Sequence, residues 1–507
     1  MILRTLKAIR LVVHGILCLF LLACFINIGM NLPINLVERN SGGIPRDVIQ
    51  EYNYIKSMLD KSDSKKKTFT DGLSNFMGSE WPIMTYSLAS YGMRNLAITY
   101  PDLKEEASGY IQKAIERTKR PEYYNFIVEH YGNPFHSDEI KDNAFYLGHF
   151  TLMLALYREV SGDDQYDELF HKFAYGFYVN FKESPTVCLT SYPGLTWTSE
   201  QVVPFRALKV HDDVFGTNYS EVIHKWKRIM EQRFIPAETG LLVTTIDKDS
   251  GFIYQGERAI PNEWTILFLH DILPDFTKKL YLNMKRELMV YRFGFPMFKE
   301  WVGDKQHATG DTGPIVFDVS PVSTAFGIAS AAVMGDHAVY QPTRYLSDAI
   351  AVGVTFGNKR KYLLGGQIGT AAMFFVKTME LLSRNQTRIV PLQSIISIFA
   401  YIMAIVLINL LWLSWIIKKS QQINLFYIKN IMQFVERRTG LMKPEFVKTI
   451  NKKFAFIAVA CGSVGMVLCL PYLMLDNWII VGAAGIVFLG GAVLYAAGSI
   501  SMAILLK

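Results

Sequence analysis

The sequence has no cysteine that could find a disulfide partner in its long central region. Of its five cysteines, Cys18, Cys24, Cys461 and Cys469 sit in long apolar runs, and only Cys188 lies between those runs. A thiol so isolated is either a buried small hydrophobe or a reactive group. Metal-ligand spacing is also missing: there is no His-x-x-x-His or Cys-x-x-Cys pair, and the ten histidines are dispersed. Neither a phosphate loop nor a dinucleotide fingerprint occurs, so no metal and no cofactor is expected. A net charge of +7 over 507 residues is too small to signal nucleic acid as a partner. Within the apolar runs, charged residues are absent at mid-depth, and His14 is the one titratable group of note. Channels and ion-coupled pumps need such groups, so transport is disfavoured.

What is present is a strong partition. Half of the residues are hydrophobic, and the mean hydropathy is +0.17. The apolar residues concentrate at the two ends. Four runs are long enough for a bilayer, which takes about 20 apolar residues each: Leu11 to Met30, Val390 to Ile417, Phe454 to Leu475 and Trp478 to Leu506. Arg4, Lys7 and Arg10 precede the first, Lys418 and Lys419 follow the second, and Lys452 and Lys453 precede the third. By the positive-inside rule these flanks agree on one topology. It has a cytoplasmic N-terminus and first transmembrane helix over 1–31, and an extracytoplasmic domain over 32–388. A second helix spans 389–417, a basic cytoplasmic segment 418–453, and a helical hairpin 454–507. The first run ends Asn-Ile-Gly-Met-Asn-Leu-Pro without a small-x-small cleavage site, so it reads as an uncleaved anchor. The lipid bilayer is therefore an expected partner, and the cell membrane the expected location.

The region between the anchors has helical periodicity punctuated by Gly, Pro and Asp. One set of segments is apolar almost all round: 81–97, 143–160, 197–210, 262–272, 321–334 and 366–382. A second set, 103–117, 164–177, 219–234, 276–291 and 343–354, is amphipathic with charged faces. The alternation recurs every 45–65 residues or so, the mark of a helical-hairpin array. Six apolar helices can close as an inner ring inside an outer one, so the fold class is all-α, an (α/α)6 toroid. Gly240 to Asp247 and Gly251 to Tyr254 read as a small inserted β-hairpin. Long loops over 186–196, 241–258 and 300–318 would gather at one mouth of the ring, where loops of that length are usually functional.

The loop-to-helix junctions carry the candidate chemistry: Glu80, Trp81 and Tyr86; Asp142 through His149; Cys188 through Trp197; Tyr254 through Arg258; and Gly310 to Pro314. Each has a plain alternative. His149 on an apolar helix suits a hydrogen-bonded core residue, Glu80 a helix cap, and Cys188 an inert buried thiol. Their recurrence at the same station of successive hairpins is what singles them out.

The run Asn143-Ala-Phe-Tyr-Leu-Gly-His149, continued through Leu154, Tyr157 and Ser161-Gly-Asp-Asp-Gln-Tyr166, resembles linalool dehydratase/isomerase-like proteins. So do an acid six residues before a tyrosine (Glu80, Tyr86) and a cysteine about 40 residues after the histidine (Cys188). The resemblance implies an (α/α)6 toroid and cofactor-free acid–base chemistry on an allylic alcohol. It gives Glu80 and Tyr86 the hydroxyl, and His149 and Cys188 the other proton. The family's acid is an aspartate where Glu80 stands, and Trp197 stands near the place of a second family cysteine. The substrate-binding set expected around these four is Trp81, Asp142, Tyr146, Tyr192, Trp197, Tyr254, Glu257 and Asp311.

Two other functions stay open at this level. A glycan-processing (α/α)6 enzyme of the envelope needs two facing carboxyl groups, for which Glu80, Asp142, Glu257, Glu263 and Asp311 are candidates. A non-catalytic envelope scaffold needs only a filled ring centre. The partners expected are thus a small-molecule or glycan substrate, with a homo-oligomer or another envelope protein left open.

Overall fold

The computed structural model describes residues 43–61, 81–136, 142–292, 295–309, 312–351, 353–363 and 365–383. The four expected spans and the basic segment between them lie outside these residues. Among the described residues no helix is long and apolar enough to cross a membrane.

Six helices bury nearly every side chain: α2 (Trp81–Thr99), α5 (Tyr146–Ser161), α7 (Val202–Phe215), α9 (Ala259–Leu269), α11 (Pro321–Val333) and α13 (Gly366–Met379). They touch in cyclic order, α2 to α5 to α7 to α9 to α11 to α13, and α13 closes back on α2. Outside them lie α1 (Arg46–Asp60), α3 (Lys104–Thr118), α6 (Asp167–Glu183), α8 (Glu221–Ile229), α10 (Pro274–Leu288) and α12 (His337–Ile350), with α4 (Pro121–Tyr131) beside α3. This is the closed double ring of a toroid. The outer helices bury one stripe each: α6 uses Phe170, Phe173, Ala174, Phe177 and Phe181, a three-to-four spacing that turns one face inward.

The inner helices run in the same sense. Toward their starts, Ser87 of α2 meets His149 of α5, and Gly148 of α5 meets Pro204 of α7. Near their ends, Arg94 of α2 pairs with Glu159 of α5. The beginnings of the inner helices therefore share one face, the mouth.

Three small antiparallel sheets fill the outer-to-inner connections. β1 (Thr196–Trp197) joins β2 (Val243–Ile246) and β3 (Ile253–Glu257), with Trp197 opposite Thr245 and Val243 opposite Glu257. The expected hairpin is thus present, with an added strand that carries Trp197. β4 (Met289–Arg292) pairs with β5 (Phe295–Phe298), and β6 (Gly353–Phe356) with β7 (Lys359–Tyr362). These last two hairpins correct the expected helix ends at 291 and 354. Helix α12 also starts earlier than expected, because Pro342 lies inside it rather than before it.

At mid-depth the ring axis is filled. The rings of Tyr91, Phe268 and Phe375 form a triangle with centroid separations of 5.3, 5.1 and 6.1 Å. Below them the Arg94 and Arg206 guanidiniums lie against the Tyr91 ring, tied to Glu159 and Asp271.

Candidate functional site at the mouth of the ring

The site starts from the close approach of α5 and α7. A Cβ on Gly148 would stand 2.9 Å from Pro204 Cδ, so only glycine lets the two helix starts meet this tightly. That contact brings His149 beside Glu200, which ends the loop before α7. His149 is fully buried. Its Nδ1 lies 2.8 Å from Ser87 Oγ, and its Nε2 faces Glu200 Oε2 at 3.8 Å, beyond hydrogen-bonding range. Burial pulls the imidazole pKa down to about 3, so the ring is neutral and one nitrogen carries the proton. The Glu200 side chain keeps 14 % exposure, making it the solvent-reaching member of the pair. Trp264 stands across from the imidazole at 6.1 Å in an edge arrangement.

A second group of charges lies at the starts of α9 and α11. Arg258, the residue before α9, is stacked between Trp197 and Trp301 at 5.3 and 4.9 Å and joins Glu300 through Nε at 2.5 Å. Ser323, in the first turn of α11, donates its hydroxyl to the other Glu300 oxygen. Ser320 caps the same helix by accepting from the Ser323 amide at 3.1 Å. Glu263, in the second turn of α9, is fully buried, and neither of its oxygens has a hydrogen-bond partner. Burial, then the nearby Glu300 charge, hold its carboxyl well above the usual carboxylate range, against a weaker pull from Arg258. Around this floor Trp81, Met84, Tyr192, Trp197 and Val322 remain half-buried.

The expected site residues are distributed as follows. Glu80 and Asp311 lie outside the described residues. Tyr86 points away from the ring centre: its hydroxyl accepts from Arg117 at 3.3 Å and its ring meets Tyr123 edge-on. The next residue, Ser87, is the one that reaches His149. Cys188 is fully buried beside Thr186 and Trp226, with its backbone held by Ser184. Burial pushes its thiol up to about 12. Among the described residues no hydrogen bond, ion pair or ring contact is found between Cys188 or Tyr86 and His149.

Of the expected substrate-binding residues, Trp81, Tyr192 and Trp197 line the mouth. Tyr146 is core, its hydroxyl donating to the Thr118 carbonyl at 2.7 Å. Asp142 anchors a loop through the Thr190 amide and Lys248, each at 2.6 Å. Glu257 accepts from Thr239 at 2.7 Å. Tyr254 is exposed on β3 against Phe252. The residues missed were Ser87, Glu200 and Glu300, while Arg258 was singled out only as the end of the Tyr254–Arg258 stretch. Glu263 was noted only as a candidate carboxyl for a glycan site. A carboxyl on the all-apolar face of an inner helix was the signal for Glu263. Nothing local marked Glu200.

Residues 169–344, from α6 into α12, match the model of the family described as linalool dehydratase/isomerase. The chain resembles the linalool dehydratase/isomerase family. The matched stretch contains Cys188, Glu200, Arg258, Glu263 and Glu300, while His149 and Tyr86 precede it.

Among solved structures the chain is similar to a possible member of the GH105 family from Salmonella enterica serovar Paratyphi A, at 14% identity and a TM-score of 0.45, covering 67% of this chain and 95% of that one. It is also similar to the Lin0763 protein of Listeria innocua, at 11% identity and a TM-score of 0.43, covering 68% and 100%. A GH76 alpha-mannanase of Bacteroides thetaiotaomicron follows at 9% identity and a TM-score of 0.40, covering 60% and 86%. The ring of this chain is read from its own helix contacts.

Proposed function

We propose that this chain is a membrane-anchored, cofactor-free lyase or isomerase that removes or moves the hydroxyl of a small alcohol by acid–base chemistry. The observation that carries the reading is the His149–Glu200 pair at the ring mouth, within a fold whose residues 169–344 match the linalool dehydratase/isomerase model. Loss of water from an alcohol needs a proton delivered to the departing oxygen and a proton taken from the neighbouring carbon. Glu200, the more accessible partner, takes the carbon proton as a carboxylate. His149 is the positioning residue: its ring is anchored by Ser87 and presents Nε2 toward the Glu200 carboxyl at 3.8 Å. Half-buried aromatic faces at the mouth suit the positive charge that develops on an allylic carbon.

The test is turnover by the full chain in detergent micelles, with linalool and a panel of short allylic alcohols as probes. Water loss or hydroxyl migration is expected with wild type, and Glu200→Gln should lower kcat by about a hundredfold. A wild-type chain inert toward the whole panel would sink the reading. The glycan alternative makes a different forecast, release of reducing ends from envelope polysaccharide. Asp142 and Glu257, two of its candidate carboxyls, are tied into loop anchors.

A further inference from the structure

We propose that Glu263 is the proton donor of this site, a wholly buried, unpartnered carboxylic acid whose neighbour Glu300 is neutralised by Arg258 and Ser323. The proposal rests on the acid–base reading above and adds to it the group that protonates the departing hydroxyl. The geometry separates the two acids. Both Glu300 oxygens are engaged, one by the Arg258 guanidinium at 2.5 Å and one by the Ser323 hydroxyl. Arg258 in turn is fixed between two indole faces and is 1 % exposed. Glu263 has none of this: it is 0 % exposed, and both oxygens lack a hydrogen-bond partner. A carboxylate so placed would go uncompensated, at a cost of several kcal/mol, so the group stays protonated. The groups that bear on it are Glu300, which favours the acid form, and Arg258, which opposes it less. A structural acid in such a place would normally donate its proton to a carbonyl or a hydroxyl. Glu263 instead keeps an O–H with no acceptor, in the second turn of an inner helix, beside the Arg258–Glu300 pair.

The step balances without an oxidant or a reductant. The Glu263 O–H bond breaks and its proton joins the substrate hydroxyl. The C–O bond then breaks with its electron pair leaving on water. Glu200 takes a proton from the adjacent carbon, whose C–H pair becomes the new double bond. Proton return from Glu200 to Glu263 through the released water restores both groups.

Two measurements on the full chain in micelles test the assignment. Infrared difference spectra between wild type and Glu263→Gln at pH 8 should show the carbonyl band of an un-ionised carboxylic acid in wild type alone. With an allylic alcohol that wild type turns over, Glu263→Gln should lower kcat by a factor of about 100 to 10,000 while KM stays within about threefold. Glu263→Asp should recover part of the loss. The missing band, or a Glu263→Gln variant within about threefold of wild-type kcat, overturns the assignment while leaving the Glu200 chemistry standing. A wild type inert toward every alcohol tested removes the reading itself, and the donor role with it.

Discussion

At the scale of single residues, helical phase decides which side chain belongs to the site. Tyr86 and Ser87 are neighbours in sequence but about 100° apart around α2. One packs against Arg117 and Tyr123, and the other holds the His149 ring. The tyrosine is the more conspicuous residue in the sequence, and the serine is the one in contact. Cys188 makes a similar point through its surroundings. A thiol buried beside Thr186 and Trp226 and pushed up to about 12 carries almost no thiolate at neutral pH. In the native protein Cys188 should resist iodoacetamide at pH 8 and react once the chain is unfolded in guanidinium, as peptide mass spectrometry would record. Native-state alkylation at the rate of a free cysteine would show that the burial is wrong. The sign of the linkage follows: because the folded thiol holds its proton longer than the unfolded one, its contribution to stability is full below pH 9 and is lost as pH rises toward 12.

At the scale of elements, the last hairpin and the first helix are held by a buried ionic cluster. Asp47 and Glu51 of α1 meet Lys377 of α13 at 2.8 and 2.6 Å, and Asp47 also meets Arg344 of α12 at 2.6 Å. Tyr362 of β7 donates to Glu51 at 2.7 Å and accepts from Lys377 at 2.6 Å. These side chains are almost wholly buried. Removing one charge leaves its partners buried and uncompensated, which costs roughly 3–5 kcal/mol. Lys377→Met should therefore destabilise the ring by about that amount in a denaturant titration. A loss below about 1 kcal/mol would mean the cluster is not the fastening of the ring.

None of that cluster was legible beforehand, because its members, such as Asp47 and Lys377, lie more than 300 residues apart in the chain. The helices themselves were legible. All-round apolar segments became the inner ring and one-sided ones the outer, since burial on every face or on one face leaves different periodicities. Glu200 stayed hidden because its meaning depends on α5 and α7 touching at Gly148, a tertiary fact with no local signature.

At the scale of the whole molecule, the sidedness of the ring is the property that charge patterning forecasts. The basic flanks predict a cytoplasmic side for the chain ends and an outside position for the toroid. Tyr175 is 57% exposed on α6, so Tyr175→Cys supplies a reporter against a background in which Cys188 is buried. A membrane-impermeant maleimide should label that variant in intact cells and leave wild type unlabelled. Labelling that requires lysis would place the toroid on the cytosolic side and overturn the topology.

The aromatic triangle of Tyr91, Phe268 and Phe375 has one more implication. It makes the ring a cup instead of a tunnel, so under the proposed reaction reactant, product and liberated water would all share a single doorway. Turnover in such a vessel would be ordered by exit, with an accumulating product competing with fresh reactant for the same threshold.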